Sequence, residues 1–127
     1  MRILIDTAPF LWMLEDANLT PIARAALEDP DNELFLSAAS TWEITIKHAL
    51  GKLPLPSPTR QLIPHQRAAR GISSLPIDEP ATLRLASLPE IHRDPFDRII
   101  VAQAIEHAMT ILTPDPLVQV YPVRTLW

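Results

Sequence analysis

From His92 the chain reads His-Arg-Asp-Pro-Phe-Asp-Arg and then Ile99-Ile-Val-Ala-Gln-Ala104, and this stretch constrains the fold more than any other. Pro95 suits the first turn of a helix, and Asp94 before it suits the cap. Behind them the helix is apolar on nearly every side, so it belongs inside a fold rather than on its surface. Two carboxylates, Asp94 and Asp97, therefore stand at the entrance of a buried helix. Acids so placed need backbone N–H groups, a basic side chain or a metal ion beside them.

Short apolar runs alternate with helical patterns through the rest of the 127 residues. Ile3-Leu4-Ile5, Leu34-Phe35-Leu36, Ile72 to Ile77 and Thr110 to Thr113 read as strands; continuous apolar runs of this kind suit a parallel sheet covered on both faces. Tyr121 to Trp127 reads as a final edge strand, because Pro122 would be awkward in a central one. Helices are expected after Pro9, with Phe10, Leu11 and Leu14 buried, and over Pro21 to Glu28. A third is expected over Thr41 to Leu50, closed by Gly51. Thr59 to Arg70 has helical spacing, with Leu62, Ile63 and Ala69 on its apolar side. Pro80 to Leu88, capped by Asp78 or Glu79, and Pro95 to Met109 complete the set. Leu53 to Pro58 holds three prolines in six residues and must be an extended connector. Strands alternating with helices predict an α/β fold with a mainly parallel sheet, and the length predicts a single domain over residues 1–127.

Composition removes several chemistries. Without cysteine there are no disulfides, thiolate zinc sites or cysteine nucleophiles. The histidines His48, His65, His92 and His107 lack the spacing of a zinc motif, and two glycines are too few for a phosphate-binding loop. A metal would be held by carboxylate oxygens, which suit magnesium or manganese. No apolar run is long enough to span a membrane, and the N-terminus lacks the pattern of a signal peptide, so the expected location is the cytoplasm. A net charge of −4 argues against a general basic footprint for nucleic acid but leaves room for a local basic rim.

In open α/β sheets ligands bind beyond the C-terminal ends of the strands. Asp6 and Asp115 follow two predicted strands, and Glu43 and Asp97 lie in the first turns of helices that start at the same edge. Four acids brought together there would bind a divalent metal and act on phosphate esters. Each acid also has a structural use. Ser40-Thr41-Trp42-Glu43 fits a capping box, and Glu43 precedes Lys47 by four residues. Asp94 is a good cap, and Asp97 gains from the helix dipole. Asp6 has the weakest excuse, since Thr7 is available to cap the helix after it. Arg93 and Arg98 either bind phosphate or neutralise their acidic neighbours. Trp12, Trp42 and Trp127 suit a core or a subunit interface. The alternative to an enzyme is a non-catalytic interaction module whose acids only cap helices.

Asp6-Thr7, Ser37-Ala-Ala-Ser-Thr-Trp-Glu43-Ile, Leu50-Gly-Lys-Leu53, His92-Arg-Asp-Pro-Phe-Asp-Arg98 and the terminal Leu126-Trp127 occur in the order and spacing of one family. The chain resembles the PIN-domain ribonucleases, specifically the VapC-type toxins of type II toxin–antitoxin pairs, in the branch that carries the HRDPFDR segment. The resemblance implies a three-layer α/β/α sandwich and an Mg²⁺- or Mn²⁺-dependent endoribonuclease. It implies that Asp6 and Asp97 are the principal metal-binding aspartates. Glu43 matches the acid after the second strand, Asp115 a less uniform fourth acid, and Asp94 a further ligand or outer contact. RNA phosphates would be met by Arg93, Arg98 or Lys47. A homodimer and a small antitoxin protein are implied as partners. The chain departs from the family where Ala8-Pro9 replaces a more usual His-Ala.

Overall fold

The computed structural model describes all residues, Met1–Trp127. In chain order the elements are β1 (Arg2–Ile5), α1 (Thr7–Glu15), α2 (Pro21–Glu28), β2 (Glu33–Ser37), α3 (Ala38–Ala49), α4 (Thr59–Ala69) and β3 (Ile72–Leu75). There follow α5 (Glu79–Arg84) with a 3₁₀ turn at Leu85–Ser87, α6 (Pro95–Glu106), β4 (Thr110–Leu112), α7 (Pro116–Gln119) and β5 (Thr125–Leu126). The strands form one sheet in the order β3-β2-β1-β4-β5, and every pairing is parallel.

Alternation along the strands divides the apolar residues between two cores. Leu4, beside Phe35 and Ile111 in register, faces a core filled by α6 residues Ile99 to Ala102 and by Tyr121. Ile3 and Ile5 face the other way, with Leu34 and Leu36, onto Phe10, Met13, Ala23 and Ile63 of α1, α2 and α4. Helix α3 contributes Ala39 to the first core and Ile44 to the second. The result is the expected α/β/α sandwich, with α6 as its buried helix. No helix is long and apolar enough to cross a membrane.

Several boundaries differ from the expected ones, each for a local reason. Helix α3 starts at Ala38, because the Ser37 hydroxyl at the end of β2 accepts from Ala39 N and caps it. Glu43 is therefore in the second turn of α3, and the capping box at Ser40 does not form. Helix α6 stops at Glu106 rather than Met109. Ala108 turns left-handed (φ +52°), and Met109 N donates to Ala104 O (2.8 Å) in a Schellman closure. In α4, Leu62 and Ile63 are buried but Ala69 is exposed, and Pro64 sits inside the helix. Asp78, not Glu79, caps α5. The short helix α7 had no counterpart among the expected elements.

Candidate functional site

Parallel strands that feed directly into helices bring helix starts to one edge of the sheet, and the acids arrive with them. Asp6 caps α1, Asp94 caps α6 and Asp115 caps α7. The idea that Thr7 would cap α1 in place of Asp6 is overturned. Asp6 Oδ1 accepts from Thr7 N (2.8 Å), while its Oδ2 accepts from the fully buried Thr113 Oγ1 (2.8 Å). The carboxylate is thus pinned between the ends of β1 and β4, the two strands at the centre of the acid cluster.

Glu43 reaches the same place from α3. Thr7 Oγ1 lies 2.9 Å from both Glu43 Oε1 and Ser40 Oγ, and its single proton goes to the carboxylate. Lys47, one turn further on, donates to Glu43 Oε2 at 2.6 Å, as the four-residue spacing predicts. Asp94 spends Oδ1 on the N–H groups of Phe96 (2.9 Å) and Asp97 (3.2 Å). Asp115 accepts from Leu117 N (2.9 Å). Asp6, Glu43, Asp94, Asp97 and Asp115 line one open cavity of about 230 Å³, and Lys47 is the only cation on its wall. A larger cavity of about 620 Å³, around Arg2, Ala104 and Arg124, lies at the opposite edge of the sheet, so size does not locate the site.

Asp97 belongs to a hydrogen-bonded chain that patterns in the sequence do not display. His92 Nε2 lies 3.1 Å from Asp97 Oδ2, and His92 Nδ1 lies 2.8 Å from the hydroxyl of buried Tyr121. Arg98 Nη1 donates to that hydroxyl (3.1 Å) and to Pro89 O (2.8 Å). Arginine only donates, so the tyrosine proton points to Nδ1 and Nε2 carries the proton given to Asp97. His92 and Tyr121 are thus supports of the site. His92 was visible only as a histidine near the acids, and nothing local marked Tyr121, 29 residues away. Arg93 and Arg98 line a separate cavity with Glu90, Ile91 and His92 instead of facing the carboxylates.

Crowding of negative charge shows in the titrations. Burial, and then the charges of Asp6 and Asp94, push Asp97 up to about 6 against the opposing bond from His92. Burial also pushes Asp6 up, with smaller contributions from Asp115 and Glu43, despite its bonds to Thr113 and Thr7. The bond to Glu43 raises Lys47. The cavity is therefore short of positive charge. No group of three acidic or histidine side chains is close enough together to hold a metal ion by itself. A divalent cation here would have to keep most of its waters and take only one or two carboxylates directly. Asp97 Oδ1 has no partner in the chain, and Asp6, although bonded at both oxygens, keeps a lone pair on each. The donors present fit a hydrated divalent cation.

A three-layer sandwich with a five-stranded parallel sheet and acids gathered at its C-terminal edge defines a recognisable class. The chain matches the PIN domain over residues 3–119, and it belongs to that family. It is 29% identical over 115 residues to ribonuclease VapC22 of Mycobacterium tuberculosis, covering 89% of this chain and 86% of that one. It is 44% identical over 59 residues to ribonuclease VapC16 of the same organism, but that match spans only 46% of this chain and 42% of the relative. Among solved structures it is similar to VapBC2 from Rickettsia felis bound to promoter DNA, with a TM-score of 0.75, 12% identity and coverage of 98% and 97%. VapBC-1 from nontypeable Haemophilus influenzae gives 0.64, 17%, 98% and 96%. At these identities the structural likeness is one of fold.

Proposed function

We propose that the chain is a metal-dependent endoribonuclease, the toxin of a toxin–antitoxin pair, which hydrolyses RNA phosphodiester bonds at the acid cavity. The observation that carries this reading is the meeting of five carboxylates, from α3, α6 and the cap positions before α1, α6 and α7, around one under-neutralised cavity. Relatives named ribonuclease VapC support the reaction class, and neighbours described as VapBC assemblies support an antitoxin partner. Asp6 and Asp97 are assigned to hold Mg²⁺ or Mn²⁺ directly, with Glu43 and Asp115 completing the acid set. Asp94, committed at Oδ1 to two N–H groups, serves from the outer rank. Bound there, a divalent cation would supply an acidified water and neutralise charge on the phosphate. The protein's own part is orientation: Thr113 and Thr7 N fix Asp6, the Thr7 hydroxyl fixes Glu43, and His92 fixes Asp97. Lys47, at the cavity wall, and Arg93, at the next cavity, are assigned to meet backbone phosphates. Arg98 instead holds Tyr121. A homodimer is part of the same proposal and rests on the family resemblance.

The test compares the parent with Asp6→Asn and Asp97→Asn on RNA, with Mg²⁺ or Mn²⁺ and after exhaustive chelation. Each variant should fold and lose at least about 100-fold in rate, a size typical of removing a charge that acts on the transition state. Parent-like cleavage by both variants, or cleavage that survives chelation, would sink the assignment. One observation favours a second reading: Asp6, Asp94 and Asp115 all cap helices, as an interaction module would require. For such a module, Mg²⁺ would add no stability beyond a matched monovalent salt.

A further inference from the structure

The acid cavity cannot by itself hold a polyanion, because its carboxylates repel the phosphates that flank the reacting one. A cavity on the other flank of α3 has the opposite character. It measures about 490 Å³ and lies between α3, α4 and β3. Arg60 and Arg67 line it from α4, and Thr41, Thr45, Thr59 and Ser74 bring hydroxyls to it from α3, α4 and β3. No carboxylate lines it. The ion pairs of the molecule use Arg2, Arg24, Lys47, Arg84, His92 and His107, which leaves both of these arginines without an acidic partner. Arg67 makes one long bond, to Ile72 O at 3.4 Å, and Arg60 makes none. Ala38, Ile63 and Pro64 are the apolar residues of the lining, and the charge it carries is all positive.

We propose that this groove binds the sugar-phosphate backbone of the RNA substrate, away from the scissile bond. The proposal rests on the ribonuclease reading above. Arg60 and Arg67 are seven residues apart on one face of α4, with Ile63 and Pro64 between them. The backbones of the two arginines stand ~10 Å apart along the helix axis, so the two guanidinium groups suit nearby phosphates of one strand, and hydroxyls suit phosphate or ribose oxygens. Thr41 and Thr45 lie roughly 160° round α3 from Glu43 and Lys47, so the helix separates the two cavities by about its own diameter, ~10 Å. Both open near the C-terminal edge of the sheet: Ser37, the cap of α3, pairs with Leu75 next to Ser74. A single strand of a few nucleotides crosses that distance. Contacts of this kind set affinity and register and carry no sequence information.

The experiment measures binding of a fluorescein-labelled single-stranded RNA by anisotropy across a salt series. It uses the full chain carrying Asp97→Asn, so that the RNA survives. Arg60→Ala with Arg67→Ala should weaken binding about 10-fold or more. It should also flatten the plot of log affinity against log salt by about 1.4, at ~0.7 per phosphate contact on a single strand. Arg60→Lys with Arg67→Lys should restore most of the slope, which a folding defect would not do. Unchanged affinity and slope in the alanine pair, while the background chain binds RNA and the parent cleaves it, overturns the groove and leaves the nuclease standing. A parent that neither binds nor cleaves RNA overturns both. An alanine pair that keeps RNA binding but loses a purified protein partner reassigns the groove to protein and overturns this proposal.

Discussion

At the scale of single residues, the carboxylates differ in how firmly they are held. Asp6 has a fixed donor at each oxygen, whereas Asp97 relies on His92, and His92 relies on Tyr121 and Arg98. Tyr121→Phe removes the hydroxyl that orients the imidazole while keeping the ring in its core. It should weaken Mn²⁺ binding and slow cleavage by about 10-fold or more, the usual size of a support lost behind a metal ligand. A titration calorimeter and a rate assay would check the two effects separately; parental values for both in the Tyr121→Phe variant would show that the chain of bonds is ornamental. The raised pKa of Asp97 makes a second prediction. Its folded value of about 6 exceeds the ordinary 3.8, so the folded state keeps a proton that the unfolded state releases between those values. Stability in metal-free buffer should therefore fall as pH rises through that window, and the penalty is complete above it. Asp97→Asn should then be more stable than the parent at neutral pH by about 1–3 kcal/mol, the lower end reflecting water at the cavity mouth. Urea denaturation at neutral pH and at about pH 3.5 would show the difference appear and vanish.

At the scale of elements, the sequence exposed what depends on neighbours in the chain and concealed what depends on distant ones. Helix α2 and the start of α6 were legible because Pro21 and Pro95 sit in first turns behind capping residues. The strands were legible from their apolar runs. The start of α3 was not, because two serines, Ser37 and Ser40, can each cap, and the close of β2 decides between them. The end of α6 was hidden for a different reason. Its C′ residue is Ala108 rather than glycine, so the usual stop signal is absent although the left-handed turn is present. Ala108→Gly should relieve that strain and raise stability by about 0.5–1 kcal/mol, read as a shift in the urea midpoint at constant slope. The acids were recognisable as a set, but their hydroxyl supports Thr7, Ser40 and Thr113 act across 33 to 107 residues of chain. No local pattern encodes such a bond.

At the scale of the whole molecule, the two cores hold the sheet from both faces and leave its C-terminal edge for the acids. A cation bound there would relieve repulsion that the fold otherwise carries. Mg²⁺ or Mn²⁺ should raise the thermal midpoint of the parent above that in an equal ionic strength of potassium chloride. Asp97→Asn should lose most of that gain. Equal midpoints for the parent in both salts would argue for acids that only cap. The bond from Thr113 to Asp6 has another consequence, for the order in which the molecule is made. It joins residues 107 apart, and Asp115 enters the cavity just beyond it. During synthesis the first strand emerges long before this last piece of the wall, and helix α6 only shortly before it. A growing chain therefore passes through most of its production without the assembled cavity.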